Sequence, residues 1–269
     1  MIVSHSHKFI LLSINKVATT TSHDVLSQFV LEGDVTTGFH DETDQEFLLD
    51  ESSKPQNVPE VTYNEFASKS EVQAPYMPKY VGDRSFTNNP NLEALLSAYD
   101  EETILNTIAK ATFKHATPTE LVNWGLVTED QLFEYNVYAF IRDPIQRTLS
   151  SYFFEQFVHK KQPTTDDVIN WIDGLDENGP FVFLNKKYRN YFEYNGKRIA
   201  YPLKFDSYSN TLAAIVEHHG GVMPDILPTY KSKCRPEWSK QPINTWLPKQ
   251  SIDKLHDVLE EDIQFFNDN

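Results

Sequence analysis

A chain of 269 residues is long enough to bury a substantial core, as one large α/β domain or two small ones. Its formal net charge of −15 works against binding nucleic acid, an anionic membrane face or a strongly anionic polymer, yet leaves room for a small anion in a locally basic pocket. The single cysteine, Cys234, excludes an internal disulfide and a zinc cluster of paired cysteines, and points to a reducing compartment.

The first element is an apolar run, residues 9–14, read as a buried strand. It is too short to span a bilayer and lacks a small-residue cleavage site, which predicts a soluble, cytoplasmic protein. The run stops at Asn15-Lys16-Val17-Ala18-Thr19-Thr20-Thr21-Ser22, after which Val25, Leu26, Phe29 and Val30 recur at helical spacing and predict a helix over 22–31. At such a strand-to-helix turn the first backbone N–H groups have no internal partners and the helix dipole adds partial positive charge. Lys16 adds a full charge, and Thr20, Thr21 and Ser22 add hydroxyl donors. The stretch is therefore read as a grip for phosphate or sulfate.

Residues 32–90 are rich in Asp, Glu, Ser, Asn and Pro and have no sustained period, so they are expected to form an irregular insertion, with room for short strands, laid over the core, either an acceptor-binding lid or an acidic loop without function. A helical pattern follows over 91–111. Residues 111–116 read as extended, and Thr117-Pro118-Thr119-Glu120 opens a helix with Thr117 as N-cap, Pro118 in the first turn and Glu120 closing a capping box. His115 then stands just before a helix start, a suitable place for a catalytic group.

The run 136–141 predicts a second buried strand, leading into Arg142-Asp143-Pro144-Ile145-Gln146-Arg147-Thr148-Leu149-Ser150-Ser151-Tyr152. Pro144 suits the first turn of a helix and Asp143 its cap, so Arg142 is expected at the carboxyl end of a parallel strand, where open α/β sheets hold ligands. Ser150 lies about two helical turns further on, and Arg147 is turned away from Arg142 by its spacing. A helix is predicted over 166–175. Residues 181–194 mix aromatics with Lys186, Lys187 and Arg189; packed rings with solvated cations are a better reading than a nucleic-acid surface. Asn195-Gly196 predicts a hairpin turn between 191–194 and 198–203, and a helix is expected over 208–218. Lys231, Lys233 and Arg235, three cations within five positions of an acidic chain, suggest a loop that folds over an anionic ligand, with a plain solvated loop as the alternative. An amphipathic helix over 251–266 closes the chain, with Ile252, Leu255, Val258, Leu259, Ile263 and Phe266 on one face. No internal repeat is present.

With both strand ends in view, the sequence resembles the sulfotransferases that use 3′-phosphoadenosine 5′-phosphosulfate (PAPS), and within them the carbohydrate branch. Lys16-Val17-Ala18-Thr19-Thr20-Thr21 is similar to that family's 5′-phosphosulfate loop, and RDPIQRTLSSY to its 3′-phosphate motif, in which an arginine at a strand end and a serine eight positions later hold the 3′-phosphate. Two departures stand out: Asn15 replaces the usual proline, and Thr19 stands where glycine or serine is more usual. Leu203-Lys204-Phe205-Asp206 and the closing helix are weaker echoes. The resemblance implies a single sulfotransferase-like domain over 1–269 with a three-layer, P-loop-like α/β fold, a central parallel sheet flanked by helices.

It further implies transfer of a sulfuryl group from PAPS to an acceptor hydroxyl or amine, with no metal required. In that reading Lys16 is catalytic; Lys16, Val17, Ala18, Thr19, Thr20 and Thr21 bind the 5′-phosphate; and Arg142 and Ser150 bind the 3′-phosphate, joined by Lys231, Lys233 and Arg235 if their loop closes on the same ligand. Several relatives use a histidine between the two motifs as base, which singles out His115 over His23 and His40, with Glu120 as the fallback. The acceptor is expected to be a small molecule or a carbohydrate, with a neutral glycan, a lipid head group, a small metabolite and a tyrosine side chain all open, and comparison with membrane-tethered relatives suggests a bacterial or viral source. Two rivals are a nucleotide-dependent phosphotransferase and a non-catalytic binding protein that keeps the fold. The first would need a glycine-rich phosphate loop, whereas residues 9–22 contain no glycine. The second would bind the cofactor without turnover.

Overall fold

A computed structural model describes residues 1–37, 55–56, 115–123, 125–158, 160–175, 187–229 and 234–269. In chain order its elements are β1 (Ile2–Ser4), β2 (Phe9–Leu11), α1 (Thr19–Leu26), β3 (Val35–Thr37), β4 (Pro55–Gln56), α2 (Pro118–Asn123), α3 (Glu129–Glu134), β5 (Asn136–Tyr138) and β6 (Phe140–Ile141). There follow α4 (Pro144–Val158), α5 (Thr165–Asp173), α6 (Arg189–Phe192), β7 (Glu193–Tyr194), β8 (Lys197–Arg198), β9 (Leu203–Lys204), α7 (Tyr208–His218), α8 (Lys249–Val258) and α9 (Glu260–Asp268). The chain divides into two units, Met1–Leu11 with Val30–Asn136, and Leu12–Phe29 with Val137–Asn269.

In the first unit the apolar run does not begin as an isolated strand. Ile2-Val3-Ser4 folds back on it, so that β1 pairs antiparallel with β2, with Ile2 opposite Leu11 and Ser4 opposite Phe9. β3 pairs antiparallel with the other edge of β1, and β4 with β3. The turn between β1 and β2 is held by one buried carboxylate. Asp34 accepts hydrogen bonds from Ser4 Oγ (2.9 Å), the N–H of His5 (2.7 Å), the N–H and hydroxyl of Ser6 (3.1 and 3.2 Å) and the N–H of Leu31 (3.0 Å). Burial alone would push this carboxyl up, but the converging donors outweigh it and hold Asp34 below the ordinary carboxylate range. The capping box that opens α2 forms as read: Thr117 N–H and hydroxyl donate to Glu120 at 2.7 and 2.9 Å, and Glu120 N–H returns to the Thr117 hydroxyl at 3.4 Å. Thr128 and Gln131 build a second box on α3.

In the second unit Leu12 N–H donates to the Tyr138 carbonyl at 2.9 Å. The expected strand over 136–141 is broken at Ala139, whose carbonyl accepts from Leu203 N–H at 3.0 Å, and β6 then pairs in parallel with β9. The hydrophobic core lies among α4, α5 and α8, with Leu149, Phe153, Val168, Ile172 and Leu255 fully enclosed. Asn195 and Gly196 both take positive φ, 49° and 72°, the backbone that a two-residue hairpin turn demands between β7 and β8.

The class is mixed helix and sheet, as expected, but the central parallel sheet is corrected. The sheets are small, the pairs among β1 to β4 are antiparallel, and the parallel pair β6 and β9 is two residues long. The physical reason lies in short strands: Ile2-Val3-Ser4 closes a hairpin, and the break at Ala139 divides the run. The first helix starts at Thr19 rather than 22 and passes into a 3-10 turn at Ser27–Phe29. The hairpin arm expected over 191–194 begins instead within the short helix α6, and the closing helix is two, α8 and α9, broken at Leu259. The helix 208–218 is found with those bounds. The helix expected over 91–111 and most of the insertion lie outside the described residues, although the two strands β3 and β4 fall within the insertion. Among the described residues no helix is long and apolar enough to cross a membrane.

Candidate functional site

The loop between Leu12 and α1 turns sharply without glycine. Lys16 and Ala18 take the left-handed backbone, φ 62° and 56°, which costs about 1–2 kcal/mol per non-glycine residue and persists only where neighbours hold it. The holding contacts are specific. The Thr19 hydroxyl donates to the Ile14 carbonyl across the loop, and Arg147 Nε donates to the Asn15 carbonyl at 3.2 Å. The Tyr208 hydroxyl donates to the Ala18 carbonyl at 3.4 Å and meets Ser22 Oγ at 3.0 Å. Thr19 therefore braces the turn with a contact that glycine could not make. Ala18, the N-cap of α1, offers no side-chain cap, so the first N–H groups of the helix are left to other acceptors. The Thr21 hydroxyl donates to the Pro228 carbonyl at 3.0 Å. Lys16 Nζ stands over the Phe154 ring, 3.1 Å from its centroid.

Arg142 follows β6 directly, at the carboxyl end of the parallel pair. Its backbone is clamped by Tyr188, whose hydroxyl donates to the Arg142 carbonyl at 2.6 Å and accepts from its N–H at 3.3 Å. The guanidinium lies 5.2 Å from the Phe205 ring centroid. Asp143 caps α4 through Gln146 N–H at 2.8 Å, and Pro144 opens the helix, both as read from the sequence. Arg235 comes to the same place: its Nη1 donates to Gln146 Oε1 at 2.7 Å, Nη2 to the Ser239 carbonyl at 2.6 Å and Nε to Ser239 Oγ at 3.2 Å. Burial, and then the charge of Arg142, push Arg235 down to about 10. Burial likewise lowers Arg142, opposed by Tyr188, Asp143 and Asp206. Both guanidiniums remain charged at neutral pH.

One face of α4 packs on the Lys16 loop, while Gln146 of the same helix holds Arg235. Arg147, Ser150 and Phe154 are spaced three and four residues apart and so form one stripe of the helix. Arg147 on that stripe touches Asn15 and Phe154 touches Lys16, which sets the half-buried Ser150 between the two loop contacts. The second unit thus gathers Lys16, Val17, Ala18, Thr19, Thr20 and Thr21 in one loop and Arg142 and Arg235 in one cationic cluster. Lys231 and Lys233 lie outside the described residues. His115 belongs to the first unit, half-buried at the turn before α2, and Glu120 is engaged in its capping box.

Sequence reasoning missed three participants. From the sequence Tyr188 reads as packing only, whereas its hydroxyl positions Arg142. Tyr208 braces the loop from α7. Asp262 accepts from Arg147 Nη1 at 3.3 Å and from Tyr188 N–H at 2.7 Å. Its spacing is the one trace in the sequence: in the expected helix over 251–266 it lies seven residues after Leu255, on the apolar face. Among the described residues no cluster of His, Cys, Asp or Glu is arranged to hold a metal.

A sequence model described as the sulfotransferase family matches residues 1–176, which include the loop, His115, Arg142 and Ser150. No curated protein and no solved structure matches the chain.

Proposed function

Because the chain belongs to the sulfotransferase family, we propose that it moves a sulfuryl group from PAPS to a hydroxyl or amine of a small-molecule or carbohydrate acceptor. The observation that carries this reading is the Arg142 and Arg235 pair. Two half-buried guanidiniums repel one another, Arg235 is held by neutral amide, hydroxyl and carbonyl groups, and among the described residues neither forms a salt bridge. Such a pair suits a doubly charged anion, and the 3′-phosphate is the group that separates PAPS from ordinary adenosine phosphates.

In this reading Arg142, Arg235 and Ser150 hold the 3′-phosphate, with Lys231 and Lys233 from the adjoining segment. The open N–H groups at the start of α1, the loop residues Val17 to Thr21 and the Thr20 hydroxyl hold the 5′-phosphate; the Thr21 hydroxyl, committed to Pro228, contributes through its backbone instead. PAPS supplies an activated sulfuryl group. Lys16 neutralises the charge that grows on the 5′-phosphate oxygen as its bond to sulfur breaks, while the acceptor oxygen or nitrogen forms the new bond in line. His115 takes the acceptor's proton. As in phosphoryl transfer, positioning and charge stabilisation supply most of the rate, and the base adds about 10²–10⁴-fold.

Thermal unfolding tests the donor. Adenosine 3′,5′-bisphosphate at about a hundred times its dissociation constant should stabilise by roughly 2.7 kcal/mol, a shift of about 5–10 °C for a chain this size. 5′-AMP, ADP and ATP should shift it less, and Arg142→Ala should abolish the difference. Equal stabilisation by ATP, or none by any of them, overturns the PAPS reading.

A further inference from the structure

Arg147 is buried, 2% exposed, and is paired with Asp262, itself 4% exposed. Its contacts run in two directions. Nε holds the carbonyl of Asn15, the residue before Lys16. Nη1 meets Asp262 Oδ2, while Asp262 Oδ1 holds the N–H of Tyr188, and the Tyr188 hydroxyl in turn holds the Arg142 carbonyl. The Tyr188 ring also lies under the Arg147 guanidinium, 4.6 Å from centroid to Cζ. Lys16 and Arg142, which sit in segments more than a hundred residues apart, are thus joined through backbone and a run of polar contacts whose middle, at Asp262, is buried.

As a stabilising device this pair is poor. Nη2 is buried with no hydrogen-bond partner among the described residues, and both charges are removed from water. Burial pushes the Asp262 carboxyl above its ordinary range, opposed by Arg147, Tyr188 N–H and Lys187. A buried pair with an unmet donor is often no better for stability than apolar residues of similar shape. What apolar residues cannot do is hold the Asn15 carbonyl and, through one carboxylate, orient Tyr188.

Resting on the PAPS reading, we propose that Arg147 is a positioning residue which, through Asp262 and Tyr188, sets the spacing between the Lys16 loop and Arg142 and so makes the site selective for a nucleotide with phosphates at both the 5′ and 3′ positions. A ligand with one phosphate engages one end and is indifferent to the spacing. A ligand with two is held at both ends and depends on it.

The test measures binding of adenosine 3′,5′-bisphosphate and of 5′-AMP by calorimetry to the wild-type chain and to Arg147→Met/Asp262→Asn, which removes both charges and keeps an acceptor for Tyr188 N–H. The expected result is a loss of about thirtyfold or more for the bisphosphate against about threefold or less for 5′-AMP, at an unfolding midpoint close to wild type. Arg147→Lys, which restores the charge facing Asp262 but not the forked donor, should recover less than half of the lost selectivity on a logarithmic scale. If the double variant binds both ligands in the wild-type ratio, the positioning role is overturned while the PAPS reading stands. If the wild-type chain itself does not prefer the bisphosphate, the PAPS reading falls and this role with it. Should the double variant not fold, Asp262→Asn alone is judged by the same ratio: kept, it overturns the role; collapsed, it supports it.

Discussion

Two buried aspartates carry opposite burdens. Asp34, in the first unit, collects five donors from Ser4, His5, Ser6 and Leu31, none of them charged, and sits below its ordinary range. Asp262, in the second, faces a full guanidinium and is nevertheless pushed above it. Their donors differ, and so does the burial that each must offset. At Asp34 converging N–H and O–H dipoles replace the water the carboxylate loses, whereas at Asp262 one N–H at 2.7 Å and one cation at 3.3 Å, which has its own desolvation to offset, do not outweigh burial. Asp34 closes a turn and stabilises. Asp262 is better understood through what it holds in place.

That contrast can be broken by substitution. The largest effect is expected for Arg147→Met alone, which leaves Asp262 buried without its cation and should cost about 3–5 kcal/mol in urea unfolding; in Arg147→Met/Asp262→Asn nearly all of that should return. A double variant as unstable as the single one would show that the pair itself stabilises. Next in size, Asp34→Asn should cost roughly 2–4 kcal/mol, since hydrogen bonds to a charged group are worth about 1.5–3 kcal/mol each and an amide group turns N–H toward N–H at this site. A loss below about 1 kcal/mol would mean that the turn re-forms without the carboxylate.

The smallest effect is the most discriminating. The lowered value of Asp34 adds stability that is present above the unfolded value of 3.8 and is lost as pH falls through the folded value below it. The raised value of Asp262 has the opposite sign: its contribution is present below 3.8 and is lost as pH rises through the folded value above it. Urea midpoints followed from about pH 2.5 to 7 should therefore lose their most acidic decline in Asp34→Asn and rise relative to wild type only above about pH 4 in Asp262→Asn. Parallel pH profiles for the two variants would contradict the opposed shifts.

The same contrast explains what could be read in the chain. Asp143, Pro144, Thr117 and Glu120 were legible because capping is local: the residues that satisfy a helix start lie within one turn of it, and so Arg142 was placed by its neighbours. Arg235 was flagged as a cation near a ligand, but its anchor, Gln146, lies 89 positions away, and no spacing rule reaches that far. Asp262 was hidden by its own charge, since a carboxylate at a stripe position reads as the polar face until its cation is known to be buried across from it. β1 was hidden by brevity: three residues carry too little period to be seen. The central sheet was overdrawn for a related reason, because an apolar run records that a segment is buried without recording which way its neighbour runs.

The break at Leu259 has an electrical meaning. Had residues 251–266 formed one uninterrupted helix, Asp262 would lie deep inside it, where the peptide dipoles cancel along the axis. The interruption starts a new helix, α9, and Glu260, Glu261 and Asp262 become its first turn. There the unpaired N–H groups present roughly half a positive charge. Asp262 therefore faces a second source of positive potential from its own backbone, independent of Arg147, and a substitution that welded α8 and α9 into one helix would weaken its hold on a proton-free carboxylate without touching any side chain near it.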